Sequence, residues 1–241
     1  FVNVLRRLIV SEVPTMAMED IEFRKNSSVL YDEIVAHRLG LVPLKTDLKT
    51  YDMTEDCKCN GEGCAKCTLK LTLKVSARSD QIVTSAEINS KDPKVVPVYT
   101  EVPIVKLLKG QQLEFEATAR LGKGMEHIKW SPGHVYYKYK PVVDIIKQPK
   151  NPEEFAKICP KNVFDAKSNK LTVNKDTLMS CHLCGACVDL EPGVIKLNES
   201  DADFIFYIEP WGQLTVKQMV SEAFDIFDKK LDEFSEKLSK I

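Results

Sequence analysis

The sequence has no marked excess of charge of either sign: its 241 residues include 34 Lys and Arg against 35 Asp and Glu, a formal net charge of -1. A domain that binds nucleic acid by itself is usually basic, so this balance argues against independent DNA binding. No apolar run approaches the roughly 20 residues that span a bilayer, and no secretory segment precedes Phe1. We therefore expect a cytoplasmic protein that does not bind membranes.

Recognisable catalytic patterns are missing as well. There is no G-x-x-x-x-G-K-[ST] phosphate loop, and His127 has no nucleophile or paired carboxylate near it in a recognisable arrangement. The single D-x-D, Asp201-Ala202-Asp203, lacks the adjacent acidic residue and glycine of a metal-binding catalytic loop, so we interpret it as a solvated turn. We predict no catalytic residue in this chain.

Both ends of the sequence carry amphipathic patterns. Large apolar residues recur at helical spacing from Phe1 to Ile9, and Pro14 would end that helix. Near the other end, Thr215 and Gln218 form a capping-box pattern that begins a second helix. The apolar face of the second helix comprises Val216, Met219, Val220, Phe224, Phe227, Leu231, Phe234 and Leu238.

Two interpretations of these terminal helices stay open. In the first, each helix covers the core of its own domain. In the second, the helices present a face to a partner chain, because eight large apolar side chains left in water would forgo about 12–24 kcal/mol of burial, at about 1.5–3 kcal/mol each. We predict the second, with two helices from each partner in a four-helix interface. The predicted interface residues are Phe1, Leu5, Leu8, Ile9, Val220, Phe224, Phe227, Leu231 and Phe234.

The segment between the terminal helices has mainly strand patterns. Apolar and polar residues alternate over 69–75 and over 113–121, which predicts two strands that each bury one face. We also predict a short strand at 21–23 and a helix at 30–39 that Ser28 caps.

The first of two cysteine groups has the spacing C-x-C-x4-C-x2-C in a polar, glycine-containing loop. Two close pairs of thiolates can hold one tetrahedral zinc ion with Zn–S bonds of about 2.3 Å. Free or disulfide-bonded thiols are the alternative, but disulfides are rare in the cytosol. We therefore predict that a metal ion stiffens this loop, as zinc does in structural zinc sites; the four thiols alone leave the identity of the metal open. Its predicted ligands are Cys57, Cys59, Cys64 and Cys67.

The second group contains a C-x2-C-x2-C run, Cys181, Cys184 and Cys187, which is typical of three corners of an iron–sulfur cluster. Glu191 stands where a ferredoxin half-motif would have its next cysteine, and Cys159 is followed by proline, like the end of a preceding half-motif. We predict one [4Fe-4S] cluster on these four cysteines, or a [3Fe-4S] cluster if Cys159 does not ligate. A zinc ion on the same thiols is the alternative.

Several longer motifs resemble a single family. They are Asn3-Val4-Leu5-Arg6-Arg7, Glu12-Val13-Pro14-Thr15, the run LYDEIVAHRLGLVPL at 30–44, Asp92-Pro93 followed by VPIVKL at 102–107, and LGKGMEHIKWSP at 121–132. In these motifs the sequence resembles the D subunit of archaeal RNA polymerase. That subunit is similar to the third-largest subunit of eukaryotic polymerases and to the N-terminal domain of bacterial alpha. The resemblance covers essentially the whole chain.

The resemblance implies an α+β fold with three parts. These are an alpha-like dimerisation domain (1–24 with 201–241), a β-rich insert domain (25–149) with the cysteine-rich loop 57–67, and a ferredoxin-like iron–sulfur insertion (150–200). The eukaryotic relatives have a zinc loop of similar spacing, and only some archaeal relatives carry the iron–sulfur domain. The family's leading strands are absent from this sequence, which does not begin with Met, so we expect them upstream.

The function that the resemblance implies is that of a non-catalytic subunit of DNA-dependent RNA polymerase, the nucleotidyltransferase of transcription. It would form a heterodimer with subunit L and the assembly platform for the large B subunit and the small N and P subunits. The cluster would have a structural or regulatory role. The implied contacts with the polymerase are Arg6, Arg7, His127, Lys129 and Trp130. The alternative is a ferredoxin-like electron-transfer protein.

Overall fold

The structure, a computed structural model, describes residues 1–240 and divides into two compact units. The first contains Asn3–Val135 and the chain from Ile208 onward, and the second is Tyr136–Tyr207. The second unit is wider than the predicted insertion 150–200, because the strands on either side of that segment belong to it. The last residue of the predicted dimerisation domain, Ile241, lies outside the described residues.

The helices and strands of the described chain follow one another without long gaps after residue 68. In chain order they are α1 (Val2–Ser11), β1 (Thr15–Asn26), α2 (Asp32–Gly40), β2 (Thr68–Ser76), β3 (Gln81–Thr84), β4 (Asn89–Ser90), β5 (Pro103–Leu107), β6 (Gln112–Gly122), β7 (Gly133–Ile145), α3 (Pro152–Ile158), β8 (Phe164–Lys167), β9 (Lys170–Val173), α4 (Ala186–Leu190), β10 (Ile195–Pro210) and α5 (Val216–Leu238). None of the helices within residues 1–240 is long and apolar enough to cross a membrane.

A four-stranded antiparallel sheet with the order β1-β6-β2-β4 forms the centre of the first unit. Its two predicted strands, β2 and β6, lie side by side, with Leu73 opposite Phe115 and Leu71 opposite Ala117. On the other side of β6, the ring of Phe23 packs edge-on against Phe115 at 6.0 Å between centroids. The alternating apolar residues therefore all point into one core, as their period of two predicts.

Helix α2 covers this core with Val35 and Leu39, both fully buried. It begins after Tyr31 rather than at the predicted Ser28. The Ser28 hydroxyl donates to Asn26 Oδ1 at 2.7 Å, so it stabilises the turn that precedes the helix. The predicted strand at 21–23 is also part of a longer one, since β1 continues from Thr15 to Asn26.

The turn that follows β6 depends on two close approaches of the backbone. A Cβ on Gly122 would lie 2.4 Å from the indole of Trp130, and a Cβ on Gly124 would lie 2.0 Å from the carbonyl oxygen of Val10. Only glycine fits at such distances. Because the Met125 N–H also donates to Ser11 O at 2.9 Å, the turn is fastened to the end of α1.

Helix α5 begins with the predicted capping box. The Thr215 hydroxyl accepts from the backbone N–H of Gln218, and the Gln218 side chain accepts from the backbone N–H of Thr215 at 2.9 Å. These bonds satisfy two N–H groups that a helix start leaves unpaired. Met219 and Ala223, in the first turns of the helix, are buried within the first unit.

The second unit has its own small core. The strands β7 and β10 pair with each other, and β8 and β9 form a hairpin. The core residues come from both helices and from the strands, and they are Phe155, Val163, Phe164, Leu171, Cys187, Val194 and Ile195. Asp201 and Asp203 lie on β10, where Asp203 pairs with Lys140 at 3.1 Å, so the prediction of a turn at these residues is wrong.

Candidate metal centres and interaction surface

The four cysteines of the first group converge in the loop that leads into β2. The Sγ–Sγ distances are 3.6 Å for Cys57 and Cys64, 3.5 Å for Cys59 and Cys67, and 3.9 Å for Cys64 and Cys67. All four Sγ atoms lie within 4.8 Å of one another. Four sulfurs bonded at about 2.3 Å to one tetrahedral zinc ion would be about 3.8 Å apart. The arrangement therefore fits a single four-coordinate metal ion.

The protonation of these thiols is uneven. A hydrogen bond from the Cys57 thiol lowers the pKa of Cys59 to about 6, whereas burial raises the pKa of Cys67 to about 12. The Cys67 sulfur also accepts the backbone N–H of Cys64 at 3.3 Å. Since a metal binds the thiolate and not the thiol, binding at this site must displace protons, and most completely at Cys67.

The second group is assembled from separate elements of the second unit. Cys159 follows the end of α3, Cys181 and Cys184 lie in the loop before α4, and Cys187 lies in the first turn of α4. All four border one apolar cavity whose wall includes Phe164. Cys187 is buried and Cys184 is exposed.

The sulfur atoms of the second group lie farther apart in space than those of the first. Within residues 1–240, the first group is the only set of three or more candidate ligands with all donor atoms within 4.8 Å. The second set of sulfurs is therefore spread more widely than one tetrahedral ion allows. They still influence each other, because burial and then the neighbouring Cys181, Cys159 and Cys184 raise the pKa of Cys187.

Backbone donors point at two of these sulfurs. The Val163 N–H donates to Cys159 Sγ at 3.4 Å, and the Leu183 N–H donates to Cys181 Sγ at 3.5 Å. Such bonds stabilise thiolates and are typical of protein-bound iron–sulfur clusters.

The terminal helices α1 and α5 lie against each other. The ring of Phe1 lies 6.2 Å from Phe224 and 6.1 Å from Phe227, and Lys230 Nζ lies 3.0 Å from Glu12 Oε1. A row of apolar side chains nevertheless remains open or half-open to solvent. We call it the terminal-helix face, and it consists of Phe1, Leu5, Val220, Phe224, Phe227, Leu231 and Phe234.

Two residues predicted for the interface do not belong to this face. Leu8 and Ile9 are buried in the chain's own core, Ile9 completely. The prediction assigned Phe1, Leu5, Leu8 and Ile9 of the α1 stripe to a partner, but Leu8 and Ile9 pack inward. By contrast, Phe1 is 72% exposed and Phe234 is 60% exposed.

The five residues implied as polymerase contacts occupy different environments. Trp130 is buried, and Lys129 Nζ pairs with Glu19 and donates to the carbonyl oxygen of Met18. Arg6 donates to Asn3 Oδ1 at 3.1 Å. His127 and Arg7 are exposed or partly exposed.

Sequence reasoning missed the charged cluster around Trp130 and the most exposed residues of its loop. Arg120 lies 4.7 Å and Lys129 Nζ 4.5 Å from the centre of the indole, and Glu19 forms an ion pair with each of the two. Met125 is 68% exposed and Ile128 is 55% exposed. The signal in the sequence would have been two apolar residues, Met125 and Ile128, in a turn that follows glycines.

Comparison with known proteins first defines a class. Residues 20–134, which contain most of the sheet and the first cysteine group, match the family described as the RNA polymerase Rpb3/RpoA insert domain. The whole chain then matches full-length relatives named DNA-directed RNA polymerase subunit Rpo3. It is 37% identical to the subunit of Methanosphaera stadtmanae, over 96% of this chain and 88% of the relative. It is 36% identical to that of Pyrococcus horikoshii, over 100% and 90% of the two chains, and 39% identical to that of Pyrobaculum islandicum, over 97% and 84%. The chain belongs to the Rpo3 family, the D subunits of archaeal RNA polymerases.

Proposed function

We propose that this chain is a non-catalytic assembly subunit of DNA-directed RNA polymerase. It forms a heterodimer with the smaller, alpha-like subunit L through the terminal-helix face, and the pair is the platform for the large B subunit and the small N and P subunits. The names of its relatives support the assignment to a polymerase, and the exposed terminal-helix face supports the formation of a heterodimer.

The observation that carries this proposal is the exposed end of α5. From Lys229 to Lys240 every residue is exposed, including Leu231, Phe234 and Leu238 at helical spacing. A helix end of this length is marginal in water without tertiary contacts. Complete burial of three such side chains would contribute about 1.5–3 kcal/mol each, so a partner that covers this face would stabilise the helix.

A matched pair of variants tests the interface. Phe234→Asp places a charge on the terminal-helix face. Lys229→Asp places an aspartate on the opposite side of α5, at a position that is also exposed. We expect Phe234→Asp to weaken binding of purified subunit L at least about 30-fold, the loss typical of an interface hot spot. Lys229→Asp should change it less than about threefold, and equal affinities for both variants would refute the interface.

We also infer that the second cysteine group holds one [4Fe-4S] cluster, which would link four points of the second unit, and that the first group holds zinc. The wide sulfur spacing, the backbone N–H donors and the apolar cavity support a cluster over a single zinc ion. The order of elements, β7-α3-β8-β9-α4-β10, is that of ferredoxin-like folds.

Native mass spectrometry of anaerobically purified chain tests both assignments. The expected mass increase is about 350 Da for Fe4S4 plus one zinc ion. Two zinc ions and no sulfide would refute the cluster. A chain that carries the cluster yet ignores subunit L would support the electron-transfer function instead.

A further inference from the structure

Lys138 of β7 reaches the segment that begins the C-x2-C-x2-C loop. Its Nζ donates to the carbonyl oxygen of Cys181 at 3.0 Å and to that of Met179, and it lies 5.8 Å from the centre of the Tyr207 ring. Two hydrogen bonds and a cation–π contact thus hold one ammonium group in place. The carbonyls belong to the turn Leu178–Ser180 and to the first cysteine of the run.

The partners of Lys138 carry no formal negative charge. Within residues 1–240, Lys138 takes part in no ion pair with a carboxylate, whereas Lys140, two positions along the same strand, pairs with Asp203 at 3.1 Å. The two lysines are alike in burial, since both are partly exposed. They differ in what they bind: Lys140 binds a carboxylate, and Lys138 binds the backbone of the cysteine loop.

We propose that Lys138 is a positioning residue for the iron–sulfur site, with two separable effects. Its hydrogen bonds fix the start of the cysteine loop, and its positive charge raises the reduction potential of the cluster. The second effect follows because reduction adds negative charge, which a nearby cation stabilises. The inference rests on the proposed cluster at Cys159, Cys181, Cys184 and Cys187.

Three substitutions separate the two effects. Lys138→Arg keeps both the charge and the donors, Lys138→Gln keeps a donor without the charge, and Lys138→Met keeps neither. Lys140→Met is the matched control, because it removes one positive charge from the same strand without touching the cysteine loop.

The measurements use the full chain with its cluster, purified anaerobically. An EPR-monitored redox titration gives the potential, and the rate of iron transfer to a chelator reports how firmly the loop is held. We expect the Gln and Met variants of Lys138 to have more negative potentials, and Arg to match the wild type. Iron release should be roughly tenfold faster in Lys138→Met alone, as for loss of an outer-shell partner.

Two results would overturn the inference while leaving the cluster itself in place. One is an unchanged potential in both Lys138→Gln and Lys138→Met. The other is an equal shift in Lys140→Met, which would make the effect one of general surface charge. If Lys138→Met loses its cluster, Lys138→Gln still gives the potential. A wild-type chain without iron and sulfide would instead refute the proposed cluster, and this inference with it.

Discussion

The two cysteine groups make different use of the chain around them. The first group is local: four cysteines within the segment 57–67 converge, with three Sγ–Sγ distances of 3.5–3.9 Å and all four sulfurs within 4.8 Å of one another. The second group is assembled across its unit, because its cysteines follow α3, precede α4 and begin α4. A local site needs only a suitable loop, whereas an assembled site needs a folded unit to bring its ligands together.

The hydrophobic cores next to the two cysteine groups differ in a corresponding way. The first group lies beside a large core that runs from Met16 to Leu121. In the second unit, Cys187 is itself one of the few core residues, and Cys159 and Cys181 pack against that core. Loss of metal should therefore loosen a loop in the first case and the whole unit in the second.

Cys187→Ser should cause the most extensive loss of structure, which we expect in the second unit. It removes a proposed cluster ligand and places a hydroxyl in an apolar core, where an unpaired polar group costs about 1–3 kcal/mol. Hydrogen exchange measured by mass spectrometry should show loss of protection throughout β8 and β9, with β2 and β6 unchanged. Cys184→Ser is the control, because it removes a ligand at an exposed position and should cause a smaller loss. If β2 and β6 lost protection equally, the two units would not be independent.

Loss of metal from the first site should disturb a smaller part of the structure. Zinc that binds the folded chain at about 1,000 times its dissociation constant should raise the free energy of unfolding of the first unit by about 4 kcal/mol. Urea denaturation with zinc or with a chelator measures it, followed by the fluorescence of Trp130 and Trp211, which both lie in the first unit. Cys59→Ser should abolish the difference. A chelator that also unfolded β2 and β6 would show that this site, too, supports its whole unit.

The smallest effect concerns an ion-pair cluster that stabilises the first unit without metal. Burial acts to raise the pKa of Glu19, but Lys129 and Arg120 outweigh it and lower the pKa below 4.5. The two ion pairs of Glu19 therefore stabilise the folded chain above the ordinary pKa of a glutamate, about 4.3, and this contribution disappears as pH falls through the lower folded value. Glu19→Gln should cost about 1 kcal/mol at pH 7 and nothing in strong acid.

Urea denaturation at several pH values checks this dependence. Glu22→Gln, on the same strand but exposed, is the matched control and should change stability by less than about 0.5 kcal/mol at any pH. A Glu19→Gln effect that stayed constant down to pH 2 would mean that packing, not charge, explains it.

Patterns with a local cause could be predicted from the sequence. The alternation in β2 and β6, the capping box at Thr215 and the spacing of Cys57–Cys67 each depend on a few neighbouring residues. The features that could not be predicted depend on distant ones. Trp130 is buried because β6 ends in a glycine that admits its indole.

The other differences between the predicted and the observed structure have two causes: competing partners nearby in the sequence, and elements that are distant in it. Ser28 does not cap the helix, because its hydroxyl donates to Asn26 Oδ1 instead. Leu8 and Ile9 turn inward because part of the stripe on α1 is needed for the chain's own core. The second unit extends to Tyr136 because β7 pairs with β10, which follows much later in the chain.

The contact between α1 and α5 also has a consequence for the order in which the chain is made and folded. Glu12 and Lys230 are separated by 218 residues. At about 5–20 residues per second on the ribosome, α1 waits roughly 10–45 s before its partner helix exists. During that interval Phe1 has neither Phe224 nor Phe227 to pack against. The rate of translation therefore sets the earliest moment at which the start of the chain reaches its final environment.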